Sequence, residues 1–147
     1  MTILVRLAQR DDFEAVTRLL EELGRPKVGV SEEAGAREVY LHHLGRDDTA
    51  SLVAEVDGAI VGFCSLEFRE RLNRLNDEAW VPDLIVRETR RSGGVGRALL
   101  ERAYELARER GCWQLTLESG AWRTDAHRFY TDRAGMENAG SFFTKSL

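Results

Sequence analysis

The sequence predicts an α/β fold, a mixed β-sheet with helices on both faces. Short apolar runs rich in Val, Ile and Leu alternate with amphipathic stretches, the pattern of proteins that layer helices on a sheet. Asp57-Gly58 between two apolar runs indicates an antiparallel hairpin, because both turn positions need positive φ. Further along, an apolar run, a glycine cluster, a helical pattern and a second apolar run follow one another. That order is a βαβ unit with parallel strands, so the sheet is expected to contain both kinds of pairing.

The first half of the chain gives two strands on either side of a hairpin turn, preceded by a strand and two helices. Residues 1–7 form the first strand, and residues 50–56 and 59–68 form the hairpin. Either Asp11 or Asp12 caps the first helix, which Gly24 ends, and Ser31 caps the second. The apolar stripe of the first helix is Phe13, Val16, Leu19, Leu20 and Leu23, and that of the second is Ala36, Val39, Tyr40 and Leu44.

The second half begins with a charged segment, residues 69–78, which is expected to be a solvated loop. Pro82 lies inside the strand at residues 80–86, and proline cannot donate to a sheet ladder, so this strand is an edge, or is bulged or splayed there. Elements expected after it are a helix at residues 97–110, a strand at 112–118, a short helix at 124–133 and a last strand at 141–147.

Length, charge and cysteine content restrict the class of protein. The chain has 147 residues, the size of one domain, and a net charge of −4. A protein that grips nucleic acid is usually basic, and a membrane span needs about 20 apolar residues. Cys64 and Cys112 lie in apolar segments, which favours buried free thiols. We therefore expect one domain over residues 1–147, cytoplasmic, with no nucleic acid, membrane or metal partner.

The most informative stretch is a glycine-rich turn before a helix. Gly93, Gly94 and Gly96 precede the helix, so that backbone N–H groups and the positive end of the helix dipole face one concavity. Eleven residues of this region contain four arginines and only one acidic residue. The arginines are Arg87, Arg90, Arg91 and Arg97. This pattern indicates a polyanion site, most simply for a pyrophosphate, although a purely structural turn would also explain the glycines. The Walker and dinucleotide-binding spacings are absent.

Arg91-x-x-Gly94-x-Gly96 resembles the acyl-CoA pyrophosphate loop of the GNAT N-acetyltransferases. Residues 83–86 resemble the preceding strand of that family, and residues 96–100 resemble its helix start. Residues 126–130, followed by Gly135-Met136, resemble its second motif. The order of elements matches along nearly the whole chain. The resemblance implies a GNAT-like domain with splayed parallel strands, in which acetyl-CoA passes an acetyl group directly to an amine.

The resemblance also implies where acetyl-CoA binds. The backbone of Leu84, Ile85 and Val86 would pair with the pantetheine arm as an added strand does, and a backbone N–H near Leu84 or Ile85 would stabilise the developing oxyanion. The thioester would enter where the Pro82 region splays from residues 112–118. The loop expected to bind the pyrophosphate comprises Arg91, Ser92, Gly93, Gly94, Val95, Gly96 and Arg97.

Acetyl transfer needs a neutral amine and a protonated leaving group. A lysine-like amine has a pKa of about 10.4 and is neutral in only about one molecule in 10³ at pH 7, so a general base is expected. Asp83, expected on the same strand face as Val81 and Ile85, is the first candidate, and Glu118 is the second. Each carboxylate would otherwise make an ion pair or a cap.

Tyr130 occupies the place where the family commonly has a tyrosine general acid; its alternative role is core packing. The second motif departs from the family in two ways. Gly135 lies five positions after Tyr130, where an offset of four is usual, and Arg123 stands where Asn is frequent. The extra residue is expected to lengthen the turn after the helix and to leave the hydroxyl in place.

The sequence leaves the acceptor open between a small-molecule amine and a peptide amine. Trp122 is a candidate substrate contact, whereas His42, His43 and His127 are expected at the surface and Trp80 and Trp113 in the core. A non-catalytic acyl-CoA-binding domain is the alternative function, and a nucleotide-phosphate binder of another fold is a further one. Pairing of residues 141–147 across a homodimer is also open, since an unpaired apolar edge tends to be covered.

Overall fold

A computed structural model describes residues 2–119 and 123–147. It contains six strands and four α-helices within those residues. The strands are β1 (Ile3–Leu7), β2 (Thr49–Val56), β3 (Ala59–Arg69), β4 (Glu78–Val81), β5 (Leu84–Val86) and β6 (Gln114–Leu117). The helices are α1 (Phe13–Leu23), α2 (Glu33–Gly45), α3 (Val95–Glu109) and α4 (Thr124–Asp132).

The strands form one mixed sheet, as predicted. The order is β1-β2-β3-β4-β6, and β5 pairs with β3 beside β4. All pairs are antiparallel except that of β4 with β6, which is parallel. Asp57 and Gly58 form the predicted hairpin turn with φ of 52° and 79°. Local turn chemistry therefore fixed the antiparallel half of the sheet, and the βαβ order fixed its parallel pair.

Helices cover both faces of the sheet, which confirms the fold class. The helix α3 packs on one face through Val95, Leu99 and Ala103. On the other face α1 packs through Val16 and Leu19 against Phe63 and Ile85 of the sheet. Burial of these side chains removes apolar area from water, the main favourable term in folding.

Pro82 divides the predicted strand at residues 80–86 into β4 and β5. The strand is not at an edge there, because β4 lies between β3 and β6. Of the two expectations for Pro82, an edge strand or a bulged or splayed strand, the second is therefore the one observed. Val81 belongs to the cluster under α3, whereas Ile85 belongs to the cluster under α1. The expectation that Asp83 shares a face with both was therefore wrong for Val81, because the chain irregularity at Pro82-Asp83 interrupts the pleat alternation.

Four expectations about individual elements were also wrong. The helix α3 begins at Val95, two residues early, because Gly94 at φ 89° starts it. Ser31 lies in a 3₁₀ turn and does not cap α2, whose Val39 is 70% exposed. Glu78 is buried as the first residue of β4. Residues 141–147 form no strand with the described part of the chain and are exposed throughout.

Both cysteines are free thiols, as predicted, but only Cys64 is buried and Cys112 is partly exposed. Burial raises the pKa of the Cys64 thiol, which lies in the core cluster under α3. Among the described residues no helix is long and apolar enough to cross a membrane.

Candidate active site

The glycine-rich turn opens α3 with its backbone amides facing outward. Ser92 and Gly94 have φ of 67° and 89°, a conformation that turns successive N–H groups towards one concavity. The N–H of Ala98 is the first to be bonded within the helix, to the Gly94 carbonyl. The amides of the preceding helical residues have no acceptor in the helix. The turn can therefore bind an anion, and the helix dipole favours one there.

Two glycines allow close packing around the start of α3: Gly62 beneath the helix, and Gly96 within it. A Cβ on Gly62 of β3 would lie 2.9 Å from Leu99 Cδ1 and 3.0 Å from Val95 Cγ1. A Cβ on Gly96 would lie 3.2 Å from Phe129 Cζ. The sequence motif singled out Gly96 because its backbone N–H was expected to bind a phosphate. The role of Gly62 was missed, because an isolated glycine in a strand does not show which helix lies against it.

The arginines of the loop differ in their surroundings. Nε of Arg91 donates a 3.1 Å hydrogen bond to the Val86 carbonyl, which ties the loop to the end of β5. Arg97 is exposed and its nearest acid is Glu101, at 3.9 Å on the next helical turn. Arg97 is thus able to turn towards a bound phosphate, whereas Arg91 holds the loop against the end of β5.

One edge of β5 is open because β6 pairs with β4 and not with β5. The Arg87 N–H bonds the Val61 carbonyl, and the Ser65 N–H bonds the Asp83 carbonyl. Antiparallel bonding alternates with a period of two, so residues 83, 85 and 87 face β3. The N–H groups of Leu84 and Val86 therefore point to the open edge. Ile85 differs from the expectation: its backbone faces β3, and its side chain is 4% exposed in the α1 cluster.

Tyr130 of α4 lies on the α3 side of the sheet. Phe129, its neighbour, contacts Gly96 at the start of α3, and Tyr130 stacks edge-on against Phe129. Burial is the main cause that raises the pKa of the Tyr130 phenol, with the Cys64 thiol adding to it and Arg123 opposing it. The phenol is therefore protonated at neutral pH. Its hydroxyl has no hydrogen-bond partner among the described residues and can act as a donor.

Asp83 lies on the opposite, α1, side of the same break in the sheet. Its Oδ2 accepts a 2.8 Å bond from the Ser65 hydroxyl, and its own N–H donates to that hydroxyl at 3.1 Å. Its Oδ1 is 2.6 Å from Nη2 of Arg25, which also donates to the Pro82 carbonyl. Both carboxylate oxygens thus have partners. Arg25 and Ser65 were not identified from sequence, since each is distant from Asp83 in the chain.

Glu118 follows β6 and accepts a 2.7 Å hydrogen bond from the Trp80 indole. Trp80 carries the Arg69 guanidinium 4.7 Å above its ring. Beside them Glu78, 3% exposed, accepts from Arg69 at 2.8 Å and from Thr116 at 3.1 Å. Burial opposes ionisation of Glu78, but the bonds from Arg69, Gln114 and Thr116 lower its pKa overall. We call this set, with Asp83, the polar face; its members are Arg69, Glu78, Trp80, Asp83, Thr116 and Glu118.

Other residues singled out from the sequence lie elsewhere or differ from expectation. His43 is half-buried, because α2 packs on the start of β2, where the Thr49 hydroxyl bonds the His43 carbonyl. Trp113 is 37% exposed under Arg74 and is not a core residue. His127 is half-buried on α4, and Trp122 lies outside the described residues. No group of three or more His, Cys, Asp or Glu among the described residues could hold a metal ion.

A separate cavity of about 410 Å³ lies at the far end of α3 from the glycine turn. Its lining includes Leu7, Ser51, Phe68 and Leu106. It contains none of the residues predicted to bind or catalyse.

Comparison with known proteins identifies the fold and the chemistry of its relatives. The sequence profile of the acetyltransferase (GNAT) family matches residues 15–136. The aminoalkylphosphonate N-acetyltransferase of Salmonella typhimurium is 29% identical over 143 residues, which are 97% of this chain and 90% of that protein. The uncharacterized N-acetyltransferase YhdJ of Bacillus subtilis is 37% identical over 89 residues, 60% of this chain and 62% of YhdJ, less than two thirds of either.

A solved structure matches along nearly the whole chain. The crystal structure of a transcriptional regulator from Bacillus halodurans C-125 superposes with a TM-score of 0.88 and 21% identity, covering 99% of this chain and all of that one. At this identity the likeness shows the fold alone. It agrees with the single mixed sheet described above.

Proposed function

Because the chain belongs to the GNAT family of acetyltransferases, we propose that it transfers an acetyl group from acetyl-CoA by direct attack of a primary amine, on a small molecule or a peptide. Members of this family act on amine acceptors with acetyl-CoA as co-substrate. One observation carries the proposal: the open edge of β5 leads from the glycine turn to the break at Pro82, with Asp83 at the break and Tyr130 on α4, whose Phe129 contacts the start of α3.

The chain's own groups fit acetyl-CoA, which when bound supplies the activated acetyl thioester. The amides of Val95, Gly96 and Arg97 would bind the pyrophosphate, with Ser92, Gly93 and Gly94 giving the turn its shape. The outward N–H groups of Leu84 and Val86 would pair with the amide-bearing arm. Arg91 would hold the loop in place through Val86. The N–H of Leu84, nearest the break, would donate to the carbonyl oxygen as negative charge develops on it.

The reaction forms a C–N bond and breaks the C–S bond. An acceptor that arrives as an ammonium loses two protons, one before the attack and one as the C–N bond forms; each passes to Asp83 directly or through water, or to Glu118, and one is released to solvent. The leaving sulfur gains one proton from the Tyr130 hydroxyl, and proton exchange with solvent restores both residues. Asp83 would have to exchange its Arg25 contact for the amine, since both of its oxygens have partners in this structure. General acid or base catalysis of this kind is typically worth about 10²–10⁴-fold.

On the polar face Glu78 is paired with Arg69 and Arg71, and Asp83 with Arg25, so a cationic acceptor would be attracted chiefly by Glu118 or would displace an arginine. Glu78, Asp83 and Glu118 lie along β4, β5 and β6 on the side of the sheet from which an amine would reach the break. An ammonium group is attracted by carboxylates before it is deprotonated. The relative from Salmonella acts on aminoalkylphosphonates by its name, and a small amine of that size is therefore one acceptor class to test.

A non-catalytic acyl-CoA-binding domain would also retain the glycine turn. It would not need a phenol at Tyr130 or a carboxylate at Asp83, and the presence of both favours catalysis. A single domain over residues 1–147, a cytoplasmic location and independence of metal stay predictions.

Isothermal titration with acetyl-CoA tests the binding site. The parent is expected to bind acetyl-CoA at micromolar concentration and not ATP or NAD. Gly94→Glu should lose this binding. Gly111→Glu is the matched control, because Gly111 at φ 79° has the same backbone strain and open surroundings at the other end of α3. Equal binding by both variants would mean that the turn has no part in the site.

Amine-dependent release of free thiol from acetyl-CoA then tests catalysis. Tyr130→Phe should lower kcat by about 10²–10⁴-fold while leaving the acetyl-CoA affinity unchanged. Binding without thiol release for any amine tested, in parent and variant alike, would favour the non-catalytic alternative.

A further inference from the structure

Arg25 follows the end of α1 and lies beside the break at Pro82. Gly24 ends the helix at φ 111°, and the N–H groups of Gly24 and Arg25 bond the carbonyls of Glu21 and Leu20. This pair of bonds is the Schellman motif, which satisfies the last carbonyls of a helix and directs the chain that leaves it. The backbone of Arg25 is therefore held in place, and its side chain, which is 52% exposed, extends to the break.

The Arg25 guanidinium uses only part of its hydrogen-bonding capacity. Its Nε and Nη2 both donate to Oδ1 of Asp83, at 3.2 and 2.6 Å, and Nη2 also donates to the Pro82 carbonyl at 3.1 Å. Its Nη1 has no hydrogen-bond partner among residues 2–119 and 123–147. Arginine presents five N–H donors in a planar fork that suits an oxyanion. Arg25 can therefore bind an anion through Nη1 while it stays in contact with Asp83.

Arginines already balance two carboxylates of the polar face. Glu78 lies 2.8 Å from Arg69 and 3.8 Å from Arg71, and Asp83 lies 2.6 Å from Arg25. An acceptor with only an ammonium group would bring a positive charge to Asp83 beside the guanidinium, and like charges in contact are unfavourable. An acceptor that also carries an anionic group would place that group on Arg25. Both charges of such an acceptor would then face a charge of opposite sign.

We infer that the acceptor is a short zwitterion, a primary amine with a carboxylate or phosphonate about two carbons away, and that Arg25 binds the anionic group. The inference rests on the proposed function, in which Asp83 takes a proton from the amine. Because Arg25 and Asp83 are in direct contact, the two charges of the acceptor must lie close together. Arg25 is thus a residue that determines specificity without touching the reacting atoms.

Acetylation of matched amines tests the specificity of the parent. 2-Aminoethylphosphonate and β-alanine carry both charges, ethylamine carries the amine alone, and 8-aminooctanoate carries both charges far apart. Charge-assisted hydrogen bonds to Arg25 should raise kcat/KM for the short zwitterions about tenfold or more above that for ethylamine. The larger of the two increases identifies phosphonate or carboxylate as the anionic group. The increase should be much smaller for 8-aminooctanoate, whose chain must fold back to meet both residues.

The ratio of kcat/KM for the short zwitterion to that for ethylamine separates a specific role of Arg25 from a structural one. Arg25→Gln should bring this ratio to about one, and Arg25→Lys, which keeps the charge, should retain part of it. Arg102→Gln is the matched control, since Arg102 makes an exposed 2.9 Å ion pair with Glu105 on α3, and it should keep the parental ratio. If Arg25 only held Asp83 in place, Arg25→Gln would lower both values and leave the ratio unchanged, which would overturn the inference.

Binding in the presence of CoA, which has no acetyl group to transfer, distinguishes failure of this inference from failure of the proposed function. In NMR titrations of the parent, 2-aminoethylphosphonate should bind about tenfold more tightly than ethylamine or ethylphosphonate, and Arg25→Gln should remove the difference. Such binding without acetylation of any amine would uphold the inference and refute the proposed acetyl transfer. Equally efficient acetylation of ethylamine and the short zwitterions would uphold acetyl transfer and overturn the inference. Equal binding of all three compounds would also overturn it.

Discussion

Gly62→Ala provides a direct test of how the sheet positions the glycine turn. Gly62 lies in β3 beneath the first turns of α3. The added Cβ would lie 2.9 Å from Leu99 Cδ1, 3.0 Å from Val95 Cγ1 and 3.4 Å from the Ile85 carbonyl oxygen. The first two distances are shorter than carbon–carbon contact allows, and both side chains are buried. The helix start must therefore shift away from the sheet.

The cost follows from overpacking. One extra methyl in a well-packed core costs about 1–3 kcal/mol. A chain of this length loses about 2–4 °C of melting temperature per kcal/mol, so Gly62→Ala should melt about 2–12 °C lower. Because Val95 and Leu99 are displaced together, the turn at Gly94–Gly96 moves with them, and acetyl-CoA binding should weaken severalfold.

Gly35→Ala is the control of the same chemical change. Gly35 lies within α2, and a Cβ there has nothing within 4 Å. Alanine is more favourable than glycine in a helix interior by about 0.5–1 kcal/mol, so this variant should be more stable than the parent and should bind acetyl-CoA equally well. Melting is followed by circular dichroism and binding by titration calorimetry. A Gly62→Ala protein that melts at or above the parent temperature would refute the packing argument. A destabilised protein with unchanged acetyl-CoA affinity would refute the link from β3 to the turn.

Three further predictions follow from the break in the sheet and from α2. Leu84→Pro removes the outward N–H at the break and should lower kcat by about 10²–10³-fold. Ile85→Pro is the comparison variant and should lower the melting temperature more than Leu84→Pro does, because the Ile85 N–H faces β3. Equal activity of Leu84→Pro and the parent would exclude the Leu84 N–H from catalysis. Asp83→Asn should lower kcat by about 10²–10⁴-fold, whereas Ser65→Ala should retain most of the activity. An unchanged kcat in Asp83→Asn would point to Glu118 or water as base. Burial lowers the pKa of His43 below 6.5, so the unfolded chain takes up a proton before the folded chain does, and the free energy of unfolding should fall as pH drops below about 6.5. In His43→Gln the fall in melting temperature between about pH 7.5 and pH 5.5 should be smaller, and an equal fall would assign it to other groups.

Much of the fold was predictable because its determinants are local. Asp57-Gly58 specifies a hairpin through its φ angles, and Gly24 ends α1 in the left-handed conformation that glycine adopts readily. The start of α3 was misplaced by two residues, because its N-cap residue, Gly94, resembles the rest of the glycine turn in sequence. The spacing of Val39 suggested a buried position that the packing of α2 does not provide.

The sequence predicted those parts of the candidate site that lie within one continuous motif, but not the contacts between residues that are distant in the chain. The glycine turn, Tyr130 and the β5 residues lie in recognisable motifs, but the partners of Asp83 do not. Arg25 comes from the segment after α1 and Ser65 from β3, 58 and 18 residues away in sequence. The same holds for Glu78, which looked like a loop residue and is buried among Arg69, Gln114 and Thr116.

The sequence by itself determined the mixed α/β fold, the family and the glycine turn that is expected to bind an anion, because periodicity, turn residues and glycine spacing act within a few residues of one another. Only the tertiary structure decided which face each catalytic candidate occupies. The irregularity at Pro82-Asp83 reverses the pleat, and this reversal places Val81 under α3 and Ile85 under α1. The tertiary structure also decided that Leu84 and Val86 present their N–H groups to the open edge of β5, whereas Ile85 does not. Strand register is set by long-range pairing, and no local pattern in the chain contains it.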